Sequence, residues 1–149
     1  ETSSLEEMIK MFKSYSALVG VHVCSTPDWS NLARLELDFF HFDATLPQLK
    51  TDLNSFLELR KMLDRKILVV WGIIPTASAS DFEVRDFSPQ LFELWERMAG
   101  RKSIPEITAQ SLLAPACGLG TLNPRQAYIV RESLIRTRQR LLTVTICKS

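Results

Sequence analysis

The sequence has little of what disulfide frameworks, membrane spans and nucleic-acid-binding surfaces require. Its 149 residues include three cysteines spaced far apart, which excludes a disulfide-stapled scaffold and favours free thiols in a reducing cytoplasm. No apolar run approaches the ~18–20 residues that cross a bilayer, and the longest spans residues 67–74. The net charge of +1 predicts no binding to nucleic acid or to an anionic membrane surface.

The composition is otherwise that of a globular domain with a core. Hydrophobic residues make up 46% of the chain and charged residues 23%, and the length suits a single domain over residues 1–149. The first residue is Glu1 rather than methionine. One expectation is therefore that the chain is a fragment of a longer protein.

Alternating strand-like and helix-like segments predict an α/β fold with parallel strands. After a helix with apolar residues from Leu5 to Phe12, apolar runs predict four strands, over residues 17–23, 37–42, 67–74 and 111–114. Helical segments follow these strands: a short one through Leu32 and Leu35, one over 51–63, one from Ser88 to Gly100, and a last one from Asn123 and Pro124. The unbroken 67–74 run predicts a strand buried on both faces. Four βα units amount to half of an eight-stranded barrel, or to a small open sheet.

Histidine and cysteine residues lie at the predicted ends of these strands. His22 and Cys24 close the first apolar run two residues apart, so they would present a nitrogen and a sulfur on the same face. Cys117 closes the last run, and His41 and Asp43 repeat the two-residue spacing on the second. The C-terminal edge of parallel strands is where ligands bind in α/β folds. One more sulfur from a neighbouring strand end, with a carboxylate or a second imidazole, would complete a tetrahedral zinc site.

Each of these residues also has a simpler interpretation. Cys24 and Cys117 are consistent with small buried hydrophobic residues, His22 with a hydrogen-bonded core histidine, and Asp43 with a helix or turn cap. A lone H-x-C is a weak motif. The placement of the whole set at strand ends, together with the resemblance described next, favours zinc.

Two segments resemble the zinc-binding segments of cobalamin-independent methionine synthase, in the C-terminal catalytic barrel of that family. They are Gly20-Val21-His22-Val23-Cys24 and Pro115-Ala116-Cys117-Gly118-Leu119-Gly120-Thr121. The resemblance spans nearly the whole chain but only the last half of the family's barrel. It implies the C-terminal half of a TIM (β/α)8 barrel, with His22, Cys24 and Cys117 as zinc ligands. The family's fourth ligand is a glutamate, and the matching position here holds Asp43, one methylene shorter, with His41 as the alternative.

The resemblance implies part of a zinc-dependent thiol S-methyltransferase of methionine synthesis. Such an enzyme moves a methyl group from a methylfolate or a methyl-corrinoid to homocysteine or a similar thiol. The implied partners are a small-molecule thiol, a corrinoid protein and the missing N-terminal half of the barrel. A homodimer is a further expectation, because a half-barrel exposes strand edges that can pair. The family's amino-acid-binding residues lie upstream of Glu1, so we identify no catalytic or cofactor-binding residue and expect the fragment alone to be inactive.

Other functions stay open at this point. One is a metal-free fragment of the related uroporphyrinogen decarboxylase barrels. Another is a non-catalytic metal-binding or assembly module, which the departure at Asp43 favours. A redox domain using Cys24 and Cys117 is disfavoured, because the chain has no C-x-x-C motif.

Overall fold

Helices and strands alternate along the chain in the computed structural model, which describes residues 4–26, 28–50, 52–76 and 83–146. The helices are α1 (Ser4–Ser14), α2 (Trp29–Leu32), α3 (Leu53–Asp64), α4 (Ser88–Ala99), α5 (Ile104–Ala109) and α6 (Pro124–Ile146). The strands are β1 (Gly20–Val23), β2 (Phe39–Asp43), β3 (Leu68–Ile74) and β4 (Ser111–Pro115), and a 3₁₀ helix covers Pro47–Lys50. The predicted α/β class and the four predicted strands are confirmed.

The four strands form one parallel sheet in the order β1-β2-β3-β4. His22 of β1 pairs with His41 of β2, His41 pairs with Val70 of β3, and Val70 pairs with Leu112 of β4. Residues paired in this way point to the same side of the sheet. The row from His22 to Leu112 therefore defines one face, and the alternate residues of each strand define the other.

The hydrophobic core lies on the face opposite His41. Four side chains of β2 and β3 on this face are fully buried: Phe40, Phe42, Val69 and Trp71. Trp29 of α2 packs edge-on against Phe42, with ring centroids 5.3 Å apart, and Trp95 of α4 packs on Trp71 at 6.4 Å. The indole N–H of Trp71 donates to the Ser111 hydroxyl at 2.9 Å, which satisfies a polar group that burial would otherwise leave costly.

The face that carries His41 is more open. Val70 and Phe39 are half-buried, and Leu112 is 49% exposed. The prediction that β3 is buried on both faces is therefore correct only for its C-terminal half, because Leu68 is 37% exposed whereas Ile74 is 2% exposed. The chain that follows β4 passes over this C-terminal half, where Ala116 donates its backbone N–H to the carbonyl of Ile74.

Local capping residues set the helix boundaries. The Asp52 carboxylate accepts the N–H of Asn54, so α3 begins at Leu53. The predicted start of this helix, residue 51, lies outside the described residues. Asp28 caps α2 in the same way through Asn31. Gly100 follows the last residue of α4 with φ of 57°, a left-handed conformation that glycine adopts without a side-chain clash.

Helix α6, the last described helix, packs against the rest of the domain. Its Val130 and Leu141 are buried. The hydroxyl oxygens of Ser133 and Thr137, also buried, accept the backbone N–H groups of Arg85 and Phe87 at 3.1 and 3.0 Å. Among the described residues, no helix combines the length and the apolar character that crossing a bilayer requires.

Candidate metal centre

His22, Cys24 and Cys117 come together at the C-terminal edge of the sheet. One ring nitrogen and the two sulfur atoms all lie within 4.8 Å of one another, and all three residues are exposed. His22 belongs to β1, Cys24 directly follows β1, and Cys117 lies two residues beyond β4. The predicted convergence of these three residues is confirmed, and their binding of a metal ion stays a prediction.

The route by which Cys117 arrives differs from the expected one. A sulfur from a neighbouring strand was expected, but β4 lies at the opposite edge of the sheet from β1. Three inter-strand spacings would separate the two strands by about 14 Å in a flat sheet. That expectation was wrong, and the chain after β4 has to travel back across the sheet to reach β1.

Residues 115–117, which we call the crossing segment, make this connection. The backbone N–H of Ala116 donates to the carbonyl of Ile74 on β3 at 2.8 Å. The carbonyl of Pro115 lies 3.1 Å from Nε2 of His41 on β2. Ala116 is 3% exposed, so the segment is packed onto the sheet rather than extended into solvent. These contacts carry Cys117 over β3 and β2 towards β1.

Gly72 of β3 makes room for the crossing segment. A Cβ atom at this position would lie 2.9 Å from Cα of Ala116 and 2.5 Å from the carbonyl oxygen of Phe42. It would also lie 3.1 Å from Nε2 of His41. Sequence reasoning did not assign Gly72 to the site. The available signal was a lone glycine inside an apolar strand, which marks a close approach of another backbone.

His41 lies beside the three-residue cluster, in register with His22. The two imidazole rings have centroids 4.3 Å apart and planes inclined by 38°. Burial lowers the pKa of His41 below its ordinary value, and the nearby charge of His22 lowers it further. The Pro115 carbonyl and the Asp43 carboxylate act in the opposite direction on this pKa and are outweighed.

Neither predicted fourth ligand belongs to the three-residue group found among the described residues. The carboxylate of Asp43 accepts the backbone N–H of Thr45 at 2.8 Å and the Thr45 hydroxyl at 2.6 Å, as a turn cap does. Nε2 of His41 is occupied by the Pro115 carbonyl. The choice between Asp43 and His41 as a ligand stays a prediction.

The donor set fits zinc. Two cysteine sulfurs and an imidazole nitrogen are ligands of the kind that zinc takes in tetrahedral sites. Bond lengths of about 2.3 Å to sulfur and 2.0 Å to nitrogen place tetrahedral donors about 3.5–3.8 Å apart. Donor atoms that lie within 4.8 Å need to close by about 1 Å, which exposed side chains achieve by small rotations.

Comparison with known proteins finds no matching family, no matching curated protein and no matching solved structure. The resemblance to cobalamin-independent methionine synthase therefore depends on the residues of this chain alone and stays a prediction.

Proposed function

We propose that the chain is part of a zinc-dependent thiol S-methyltransferase, in which His22, Cys24 and Cys117 hold the metal. The observation that carries the proposal is the meeting of one imidazole and two thiols within 4.8 Å at the C-terminal edge of a parallel sheet. Donors from two distant parts of the chain, the end of β1 and the segment after β4, are brought to the place where α/β folds bind their ligands.

The three donors leave the fourth tetrahedral position to a substrate or to a ligand that a substrate displaces, for which Asp43 and His41 are the predicted candidates. Catalytic zinc sites keep such a position. Zinc held by His22, Cys24 and Cys117 would supply the Lewis acidity that favours the thiolate form of a substrate thiol. In the proposed reaction the substrate thiol would lose its proton and its sulfur would form a bond to the methyl carbon. The bond from that carbon to the donor would break, and its electron pair would stay on the donor. The donor is a methylfolate or a methyl-corrinoid, and homocysteine or a similar thiol accepts the methyl group. The residues of this chain would hold the thiolate sulfur in line with the methyl group of the donor.

The order of the strands supports a partial barrel within this proposal. Parallel strands joined by right-handed crossovers place their helices on one side of the sheet when each strand is added next to the last. The order β1-β2-β3-β4 is sequential in this way, and Trp29 and Trp95 come from helices packed on the same face. A (β/α)8 barrel has this arrangement, and its inner face would correspond to the face that carries His41.

Zinc stoichiometry tests the metal site directly. Protein purified under reducing conditions with zinc available should bind about one zinc per chain, and Cys117→Ser should lower the affinity for zinc by at least ~10-fold because a ligand is lost. The third cysteine of the sequence, Cys147, lies outside the described residues and at no predicted strand end. Cys147→Ser is therefore the matched control and should bind zinc as the unmodified chain does. Full-strength zinc binding in Cys117→Ser would remove Cys117 from the ligand set. No zinc in the unmodified chain would remove the metal from the proposal and favour a decarboxylase-like fragment.

Methyl transfer is then measured on the chain joined to its complete barrel. Homocysteine and coenzyme-M-like thiols serve as acceptors, each with a methylfolate and a methyl-corrinoid donor. Thioether formation that is lost in Cys117→Ser supports the proposal. If a zinc-loaded complete barrel forms no thioether with any pair of acceptor and donor, the proposed methyltransferase activity is refuted.

A non-catalytic metal-binding module is the second candidate. The observation that favours it is the exposure of all three donor residues, since methyl transfer benefits from a site that excludes water. Such a module would retain the zinc stoichiometry and its dependence on Cys117 while showing no transfer in the complete barrel.

A further inference from the structure

His41 has a place in the site that differs from that of a ligand. It lies on β2, one strand in from His22, and its side chain is half-buried between the two edges of the sheet. Its ring contacts the His22 ring on one side, with centroids 4.3 Å apart. It also reaches the crossing segment, 74 residues away in the sequence, through the Pro115 carbonyl.

The hydrogen bond to Pro115 fixes the state of the ring. A carbonyl oxygen can only accept, so Nε2 of His41 must carry the proton at this 3.1 Å contact. A protonated ring nitrogen has no lone pair for a metal, so Nε2 is unavailable as a ligand atom. The bond instead anchors the residue that lies two positions before Cys117.

Two hydrogen bonds attach the crossing segment to inner strands of the sheet. The N–H of Ala116 donates to Ile74, which attaches the segment to β3. The bond from His41 attaches it to β2, one strand closer to Cys24. Without the second attachment, the chain beyond Ala116 has more freedom, and Cys117 meets Cys24 less often.

We propose that His41 is a positioning residue of the cysteine–histidine site, whose Nε2–H holds the crossing segment so that Cys117 faces Cys24 and His22. The proposal deepens the proposed function, on which the zinc readout below rests. Its central claim concerns the distance between two thiols and is measurable without any metal.

Thiol–disulfide exchange measures how often the two sulfurs meet. In metal-free protein carrying Cys147→Ser, the thiols of Cys24 and Cys117 and one oxidised glutathione give the protein disulfide and two reduced glutathiones. The two protein S–H bonds are lost and two glutathione S–H bonds form, so atoms and electrons balance. The equilibrium constant of this exchange rises with the effective concentration of one thiol at the other.

Two substitutions at His41 separate positioning from general packing. His41→Ala should lower the exchange constant about 3- to 10-fold, the equilibrium equivalent of one net hydrogen bond. His41→Gln places an amide N–H near the position of Nε2 and should recover most of the loss, whereas His41→Asn is too short and should not. Leu68→Ala, at an exposed position on the same face, is the control and should leave the constant unchanged.

The zinc readout distinguishes a positioning residue from a ligand. His41→Ala should weaken zinc binding by about 10-fold or more, as loss of a residue that orients ligands does. Cobalt(II) bound at saturation should keep the thiolate and ligand-field absorption of the unmodified protein, because the ligands themselves are unchanged.

Specific results would overturn the proposal. An exchange constant in His41→Ala equal to that of the control would do so, and so would a His41→Gln variant as impaired as His41→Ala. A saturated cobalt spectrum showing one fewer nitrogen ligand in His41→Ala would make His41 a ligand instead. If the unmodified chain binds no zinc, the proposed function fails, and the glutathione measurement still decides the role of His41.

Discussion

Replacing Gly72 with alanine tests the crossing of the sheet, on which the whole site depends. The added Cβ would lie 2.5 Å from the Phe42 carbonyl oxygen and 2.9 Å from Cα of Ala116. Both neighbours are backbone atoms, so no side-chain rotation relieves the contact. The contact with Phe42 requires β2 and β3 to shift, and the contact with Ala116 is relieved either by the same shift or by lifting of the crossing segment from the sheet.

Both responses have a cost of similar size. Overpacking a well-packed site by one methyl group destabilises by about 1–3 kcal/mol. Lifting the segment instead gives up the hydrogen bonds to Ile74 and His41, each with a net contribution of about 1 kcal/mol. We therefore expect Gly72→Ala to lower the free energy of unfolding by about 2 kcal/mol, a fall in Tm of about 4–8 °C for a chain of this size.

Zinc affinity should fall by a corresponding factor. If the segment is displaced in the metal-free variant, metal binding has to restore it, and about 2 kcal/mol corresponds to about 30-fold in affinity. Thermal unfolding followed by circular dichroism gives the first quantity and competition with a chelator gives the second. Gly118→Ala is the matched control, because a Cβ at Gly118 meets nothing within 4 Å although it adjoins Cys117. Equal Tm and zinc affinity in the two variants would refute this account of the crossing.

Two further predictions concern ionisable groups. Asp38, whose carboxylate accepts the Val19 N–H at 2.7 Å and Lys13 at 2.9 Å, has a lowered pKa. Asp38→Asn should lower the free energy of unfolding at neutral pH, by only about 1 kcal/mol because the carboxylate is partly exposed to solvent. In urea titrations the difference between the two proteins should vanish as the pH falls through the lowered pKa of Asp38, below ~3.9. In metal-free protein the pKa of His41 is lower in the folded chain than in the unfolded chain, so the unfolded chain binds the proton more readily. Neutral His41 therefore contributes to the free energy of unfolding in full above pH ~6.5, and the contribution is lost as the pH falls through the folded-state pKa. Urea titrations of His41→Gln should show a shallower loss between pH ~6.5 and the folded-state pKa, and an identical pH profile would contradict the assignment.

Local patterns predicted the elements well where neighbouring residues decide them. The β3 run is continuous and apolar, and the structure places that strand at Leu68–Ile74, within one residue of the prediction. The first strand was predicted from residue 17 but begins at Gly20. The N–H of Val19 donates to the side chain of Asp38 instead of a strand neighbour, and Leu18 is 80% exposed. A side chain 19 residues away determines this boundary, so apolar character alone does not reveal it.

The site shows the same division between local and distant causes. Because parallel strands share a C-terminal edge, the sequence could predict that His22, Cys24 and Cys117 converge. It could not predict the path, since the order of strands places Cys117 at the far edge. The path of residues 115–117 across the sheet depends on Gly72, which has no side chain to block it. It also depends on the hydrogen bond between His41 and Pro115, which are 74 residues apart in the sequence. Because Gly72 and His41 belong to β3 and β2, the distance between the two thiols depends on the pairing of these inner strands. A substitution that weakens that pairing should therefore weaken metal binding without touching a ligand.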